Sequence, residues 1–288
     1  MKSNLTEKLS IYLLKKGFTI KILTSTCFDI LARKESRILL IKILEDANSI
    51  SEEYAKQMNH ISSYTGASPL IISEKAGSKI QDNVVYLRFN IHTLNFNTLK
   101  NSVDNKFPFI KSDHAGPTAH ILGDKIRAIR EQENISLGDI ARKVGVSKKM
   151  IQKYEKGEAD VTLNKALKIY DVFGHKVFDK IDIFETPLKT DQEIKSVIGK
   201  KYSKLGFDAI DTKKAPFDII AKKEKELILT RVGDKPKPEL DSLSKLVDAD
   251  KLVIFNKKKP KEIPALTKKE FMEFEKSKEL IKFLKEFE

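Results

Sequence analysis

Apolar positions along the chain switch between two spacings. From Leu5 to Lys15 they recur at helical spacing, and Gly17 supplies the stop signal. Three strand-like runs follow, Phe18–Leu23, Phe28–Arg33 and Ile38–Leu44, with Lys34-Glu35 where a hairpin turn is needed. A helix over 51–64, a strand over 69–73 and a helix over 94–103 complete this part. From Ile121 to about Phe184 only helical spacing is left, and Thr186-Pro187 breaks it. The remainder mixes helix and strand again. Lys111 to His120 (KSDHAGPTAH) is polar, carries Gly116 and Pro117, and reads as a linker.

The outer parts repeat one another. Gly17-Phe18 matches Gly206-Phe207, and Phe28-Asp29-Ile30 matches Phe217-Asp218-Ile219 with no gap between the matches. Ala32, Glu35 and Ile43 then align with Ala221, Glu224 and Val232. The second copy predicts a helix over 192–204, strands over 207–210, 217–222 and 227–232, a turn at Glu224-Lys225, a helix over 238–247, a strand over 251–255 and helix over 268–287. A repeat of this kind implies one supersecondary unit used twice. Its order, helix, three strands, helix, strand, predicts an α/β sheet covered by helices.

The central part divides into short helices. Leu122, Ile126 and Ile129 form an apolar stripe. Ser136 caps a second helix, with Asp139 three positions on, close to a capping box. Ile140, Ala141 and Val144 give that helix an inward face, and Gly145 ends it where a tight turn needs positive φ. Ser147 caps a third helix that stops at Gly157, with Ile151 and Tyr154 facing inward. Thr162 is placed to cap a fourth. On the third helix Lys148, Lys149, Gln152, Lys153 and Lys156 are left pointing outward. Lysine supplies phosphate charge and can read guanine, and glutamine can bond adenine bidentately. An ordinary solvated helical hairpin would not need this succession of caps, small residue and glycine turns.

Charge agrees with a polyanion partner. The 288 residues hold 54 Lys+Arg against 41 Asp+Glu, a formal net charge of +13. Apolar residues make up 40 %, enough for a packed core in each of two or three domains. The single cysteine, Cys27, forbids an internal disulfide and suits a reducing cytoplasm. It sits in an apolar run and reads as a buried structural thiol. The N-terminal stretch is neither a signal peptide nor an anchor, and no apolar run approaches transmembrane length. A cytoplasmic protein that does not enter a membrane is expected. His60, His92, His114, His120 and His175 show no metal-ligand spacing, and no phosphate-loop, dinucleotide or nucleophile motif occurs. No cofactor and no metal are expected.

Ser136, Ile140-Ala141, Val144-Gly145-Val146-Ser147, Ile151, Tyr154-Glu155-Lys156-Gly157 and Leu163 resemble the Cro/C1 family of helix-turn-helix domains. The resemblance covers roughly Leu122 to Phe173. It implies that the third helix enters the major groove of double-stranded DNA. Lys148, Lys149 and Gln152 would then lie nearest base edges, Lys153 and Lys156 on phosphates, with Ser136 and Ser147 at the helix starts. The family commonly has Gln after the second-helix cap; here the residue is Leu137, so a DNA contact is missing or Leu137 packs on a neighbouring domain. The whole chain also resembles an archaeal family of helix-turn-helix transcriptional regulators.

The outer copies resemble the restriction-endonuclease-like fold. Those nucleases need an Asp on one strand and acid-x-Lys on the next, because two acids hold a metal that polarises phosphate and activates water. Here Asp29 is followed by Leu40-Ile41-Lys42, and Asp218 by Leu229-Thr230-Arg231. The cation position is filled in both copies, and the second acid is leucine in both. One carboxylate beside a cation is a poor magnesium site, since too few hard oxygen ligands remain. Asp29–Lys42 and Asp218–Arg231 would instead pair across neighbouring strands; a displaced acid such as Glu7 or Glu45 is the alternative.

The expectation is a nuclease-like, non-catalytic domain over 1–110, a linker over 111–120, a Cro/C1-type helix-turn-helix over 121–186 and a second nuclease-like repeat over 187–288. The function expected is sequence-specific DNA binding in transcriptional regulation by a homodimer on paired half-sites. The alternatives are a metal-dependent DNA nuclease targeted by the helix-turn-helix, and a DNA-bound scaffold for a protein or small-molecule effector.

Overall fold

The structure, a computed structural model, describes residues 2–113, 116–187, 194–234, 238–257, 259–260 and 263–287. Among these no helix is long and apolar enough to cross a membrane. The chain forms two compact units. One contains Met1–Glu45, Ser49–Ile71 and Phe184–Glu288; the other contains Asp46–Asn48 and Ile72–Ile183.

In chain order the elements begin with helix α1 (Lys2–Lys15), strands β1 (Thr19–Ile22), β2 (Ile30–Lys34) and β3 (Arg37–Ile43), helix α2 (Glu52–Thr65) and strand β4 (Ser68–Ile72). Ser51 caps α2 by accepting from the Tyr54 N–H, and Gly66 closes it at φ 71°. The hairpin turn of β2–β3 falls on Glu35-Ser36, one residue later than the charge pair suggested, because Lys34 pairs with Arg37.

The middle of the chain holds β5 (Lys75–Ala76), β6 (Ser78–Lys79), β7 (Val84–Arg88), β8 (Ile91–Leu94), α3 (Phe96–Val103), β9 (Ile110–Asp113) and β10 (Gly116–Ala119). Then come α4 (Gly123–Gln132), α5 (Leu137–Val144), α6 (Lys148–Glu155), β11 (Val161–Thr162) and α7 (Leu163–Phe173). The expected linker over 111–120 is therefore strand over most of its length: β9 pairs antiparallel with β10, and β10 with β11. Its residues carry no apolar alternation, yet β9 lies between β7 and β10 and β10 between β9 and β11, with Gly116 and Pro117 opening β10 rather than a loose connection. His114 lies outside the described residues. The expected all-helical stretch from Ile121 is likewise interrupted by β11.

The second copy contains α8 (Val197–Lys204), β12 (Asp208–Asp211), β13 (Ile219–Lys223), β14 (Glu226–Val232), α9 (Glu239–Leu246), β15 (Asp250–Phe255) and β16 (Ala265–Thr267). It ends in α10 (Lys268–Glu273) and α11 (Ser277–Lys285), two helices where one was expected. The Thr267–Glu270 capping box begins α10, and extended backbone at Phe274 ends it. The expected start of α8 at Gln192 lies outside the described residues; Ser196 is its cap.

Within the first unit the two sheets run β1-β2-β3-β4 and β12-β13-β14-β15-β16. Equivalent residues hold equivalent registers: Ile30 opposes Ile41, and Ile219 opposes Thr230. The copies pack with a local two-fold logic, α2 against β13 and α9 against β2. At matching positions Arg33 donates to the Leu246 carbonyl at the end of α9 (3.2 Å), and Lys222 to the Tyr64 carbonyl near the end of α2 (3.0 Å). A cation at a helix C-terminus satisfies carbonyls the helix leaves open. Leu40 and Leu229, at the expected acid positions, line one apolar seam with Phe28, Leu31, Phe217 and Leu243, and both are essentially shielded from solvent.

Within the second unit the strand order is β8-β7-β9-β10-β11. Its four central helices enclose Ile126, Ile140, Val144, Ile151, Ala166 and Ile169, and the same core extends onto Ala119, Ile121 and Phe178.

Candidate nucleic-acid interface and the nuclease-like face

Helix α5 begins at Ser136, whose hydroxyl accepts from the Asp139 N–H (3.1 Å), and ends at Gly145 with φ 72°. Asp139 does not complete a capping box; its carboxylate is held below the usual carboxylate range first by the Ser136 hydroxyl it accepts from (2.6 Å) and then by its pairing with Arg142. Helix α6 begins at Ser147, which accepts from the Met150 N–H (3.1 Å). Thr162 stands at the start of α7 without a side-chain cap bond and pairs with Thr118 in the sheet.

Ile151 and Tyr154 are buried, and burial pushes the Tyr154 phenol upward. Their period leaves Ser147, Lys148, Lys149, Gln152, Lys153 and Lys156 exposed on the other face, together with Ser136 at the head of α5. Lys156 approaches Glu158 at 4.0 Å; among the described residues Lys148, Lys149 and Lys153 have no acidic partner. Leu137 packs partly buried on the core of its own helix bundle, which explains an apolar residue at that position.

Three supports have no signature in the sequence pattern. Arg130 of α4 grips Glu155 of α6 through both carboxylate oxygens, Nε to Oε1 at 2.6 Å and Nη2 to Oε2 at 3.1 Å, with side chains 15 % and 9 % exposed. This fork fixes α6 in rotation as well as distance. Gly123 lets α4 start against the end of α6, since a Cβ there would lie 2.4 Å from the Glu155 carbonyl oxygen. Lys165 of α7 donates to the Gly145 carbonyl (2.7 Å), closing the turn between α5 and α6. Arg130 and Glu155 lie on adjacent helices, so no spacing rule joins them; a charged residue between Tyr154 and Lys156 is the only hint.

On the nuclease-like face both acids are fully engaged. Asp29 Oδ1 receives Lys2 Nζ (3.0 Å) and Lys42 Nζ (3.4 Å), and Oδ2 receives the Ile43 N–H (2.7 Å). Asp218 receives Arg231 Nη1 on both oxygens (2.7 and 2.9 Å) and the Val232 N–H on Oδ2 (2.7 Å). Burial pulls Lys42 below the usual lysine range, against the pull of Asp29. A cation entering either site would have to displace a lysine or an arginine. Among the described residues no group of three or more His, Cys, Asp or Glu side chains is gathered for a metal. Glu7 and Glu45 are exposed, and Glu45 accepts from the Lys2 main-chain N–H (3.2 Å). Cys27 is buried, its thiol pushed up to about 12 by desolvation.

Capped short helices about a left-handed glycine turn, with an outward lysine-rich third helix, define a helix-turn-helix domain, and the outer copies share one α/β element order. A family model described as a helix-turn-helix matches residues 126–176, and one described as a PD-(D/E)XK superfamily domain matches residues 2–108. A protein of Methanosarcina acetivorans named "Putative HTH-type transcriptional regulatory protein" is 32 % identical over 90 % of this chain and 88 % of its own length. Identically named proteins of Methanobrevibacter smithii (32 %, 99 % of this chain and 97 % of its own) and Archaeoglobus fulgidus (30 %, 99 % and 98 %) are similar throughout. The chain belongs to this archaeal family of HTH-type transcriptional regulatory proteins. No solved structure matches it.

Proposed function

We propose that this chain is a sequence-specific DNA-binding transcriptional regulator in which α6 reads the major groove. The observation that carries this reading is the outward face of α6: Lys148, Lys149, Gln152 and Lys153 lie exposed on a helix pinned from behind by Ile151, Tyr154 and the Arg130–Glu155 fork. Lys148, Lys149 and Gln152 meet base edges; Lys153, Lys156 and the capped helix starts at Ser136 and Ser147 meet phosphates. One such domain reaches few base pairs, so two copies of the chain bind paired half-sites. The one cysteine, buried, suits a reducing cytoplasm. Residues 121–186 form the reading domain, and the nuclease-like copies support it without cutting, because leucine fills both second-acid positions. The test is footprinting of the wild type beside a Lys148→Ala, Lys149→Ala, Gln152→Ala triple variant. Loss of the footprint with the fold retained supports the reading; an unchanged footprint refutes it.

The match of residues 2–108 to a PD-(D/E)XK model favours one second reading, a metal-dependent nuclease directed by the helix-turn-helix. It requires cleavage with Mg²⁺ or Mn²⁺ that is lost in Asp29→Ala or Asp218→Ala. No cleavage with either metal removes it.

A further inference from the structure

Behind the helix-turn-helix, the second unit contains a cavity of about 460 Å³, within the range of small-molecule sites. We propose that it binds a nucleoside polyphosphate. The wall has three chemistries. Lys106 and Lys180 bring positive charge, His175 brings an imidazole, and no carboxylate lines it. Asn83, Asn101 and Asn105 bring amide donors and acceptors, with Asn101 Nδ2 held on Asn83 Oδ1 at 2.8 Å. Phe109 and Tyr170 bring ring faces that lie nearly parallel, 8° apart with centroids at 6.4 Å. Tyr170 is 45 % exposed, so part of its ring surface is open to a ligand.

The frame is fixed. Phe109 stacks on buried Phe178 with centroids 4.6 Å apart. The segment carrying His175 and Lys180 is stitched on both sides, by the Ile181 N–H to the Pro108 carbonyl (2.8 Å) and the Leu122 N–H to the Val177 carbonyl (2.8 Å). A second cavity of about 590 Å³ shares His175 and Lys180 and adds Lys125 and Lys176, with one acid, Asp179. For a ligand with its base on the rings, Lys106 and Lys180 in the same wall and Lys125 and Lys176 in the adjoining one supply the cations that charge-assisted hydrogen bonds to phosphates need. Neither wall contains a residue of α6, so the ligand leaves that helix uncovered. The inference stands whether or not α6 reads DNA.

The test is titration of the full chain with fluorescent N-methylanthraniloyl-ADP, with unlabelled AMP, ADP, ATP and tripolyphosphate as competitors. One saturable site is expected, weakened about tenfold for each lysine removed in Lys106→Ala and Lys180→Ala. A comparable loss is expected in Tyr170→Ala, with thermal unfolding unchanged because all three residues are exposed. Absence of saturable binding, or binding untouched by these variants, overturns the proposal. Competition by tripolyphosphate equal to that of ATP reduces the site to an anion patch and also overturns it. So does a short single-stranded DNA that outcompetes ADP in the Lys148→Ala, Lys149→Ala, Gln152→Ala background.

Discussion

Lys42 and Arg231 sit on carboxylates; Lys148, Lys149 and Lys153 face water without one. The same residue class thus has opposite uses in the two units. Asp29 and Asp218 stand immediately before β2 and β13, each facing a cation on β3 or β14 and accepting a backbone N–H, so the charge is neutralised internally. On α6 the inward period is fully used by Ile151 and Tyr154, and the charge left over is available to a polyanion. A net charge of +13 says nothing about this division. Pairing decides it, and pairing follows from which strand or helix face each residue occupies.

The comparison breaks most readily at the leucines. Leu40→Glu or Leu229→Glu restores the acid of a nuclease but buries an unpaired charge in the apolar seam. A loss of roughly 3–5 kcal/mol in denaturant unfolding is expected, with no Mg²⁺-dependent cleavage gained. Stable folding together with new cleavage would show that the seam tolerates a metal site.

A smaller loss, about 1–3 kcal/mol, is expected for Gly123→Ala, because the added methyl meets the Glu155 and Tyr154 carbonyls. Helix α6 would shift, so DNA affinity should fall along with thermal stability. Glu155→Gln loses the ionic grip of Arg130 while keeping volume, and about 1–2 kcal/mol should be lost at neutral pH. A variant as stable as wild type would leave the orientation of α6 to packing alone.

The smallest effect concerns Arg33 and Asp248. Their hydrogen bond (2.5 Å) holds the Asp248 carboxyl below its usual range. A depressed folded value contributes stability above the ordinary carboxylate pKa of about 4 and loses it as pH falls through the depressed value. Asp248 is largely exposed, so Asp248→Asn should cost under about 1 kcal/mol at pH 7, and the difference should vanish in acid. An equal difference at both pH values would contradict the pairing.

Much of the molecule is legible in chain order and little of it in three dimensions. Caps at Ser136 and Ser147, the turn at Gly145 and the buried faces of α5 and α6 follow from local rules, because each is settled within a few residues. The equivalence of Asp29 and Asp218 is visible because the repeat keeps its spacing. The hairpin at β9–β10 reads as a linker, since its polar residues lack the apolar alternation that marks a half-buried strand. The Arg130–Glu155 fork, the reciprocal caps from Arg33 and Lys222 and the sharing of one seam by Leu40 and Leu229 depend on tertiary packing. No sequence interval encodes them.

DNA affinity measured against salt concentration tests the division of charge most directly, with two variants run beside the wild type. Lys153→Ala with Lys156→Ala should weaken binding and flatten the slope of log K against log salt by about one unit for each phosphate no longer neutralised. Lys42→Met with Arg231→Gln should leave both affinity and slope unchanged. The reverse outcome, a slope altered by the second pair and untouched by the first, would contradict the assignment of α6 as the DNA-reading surface.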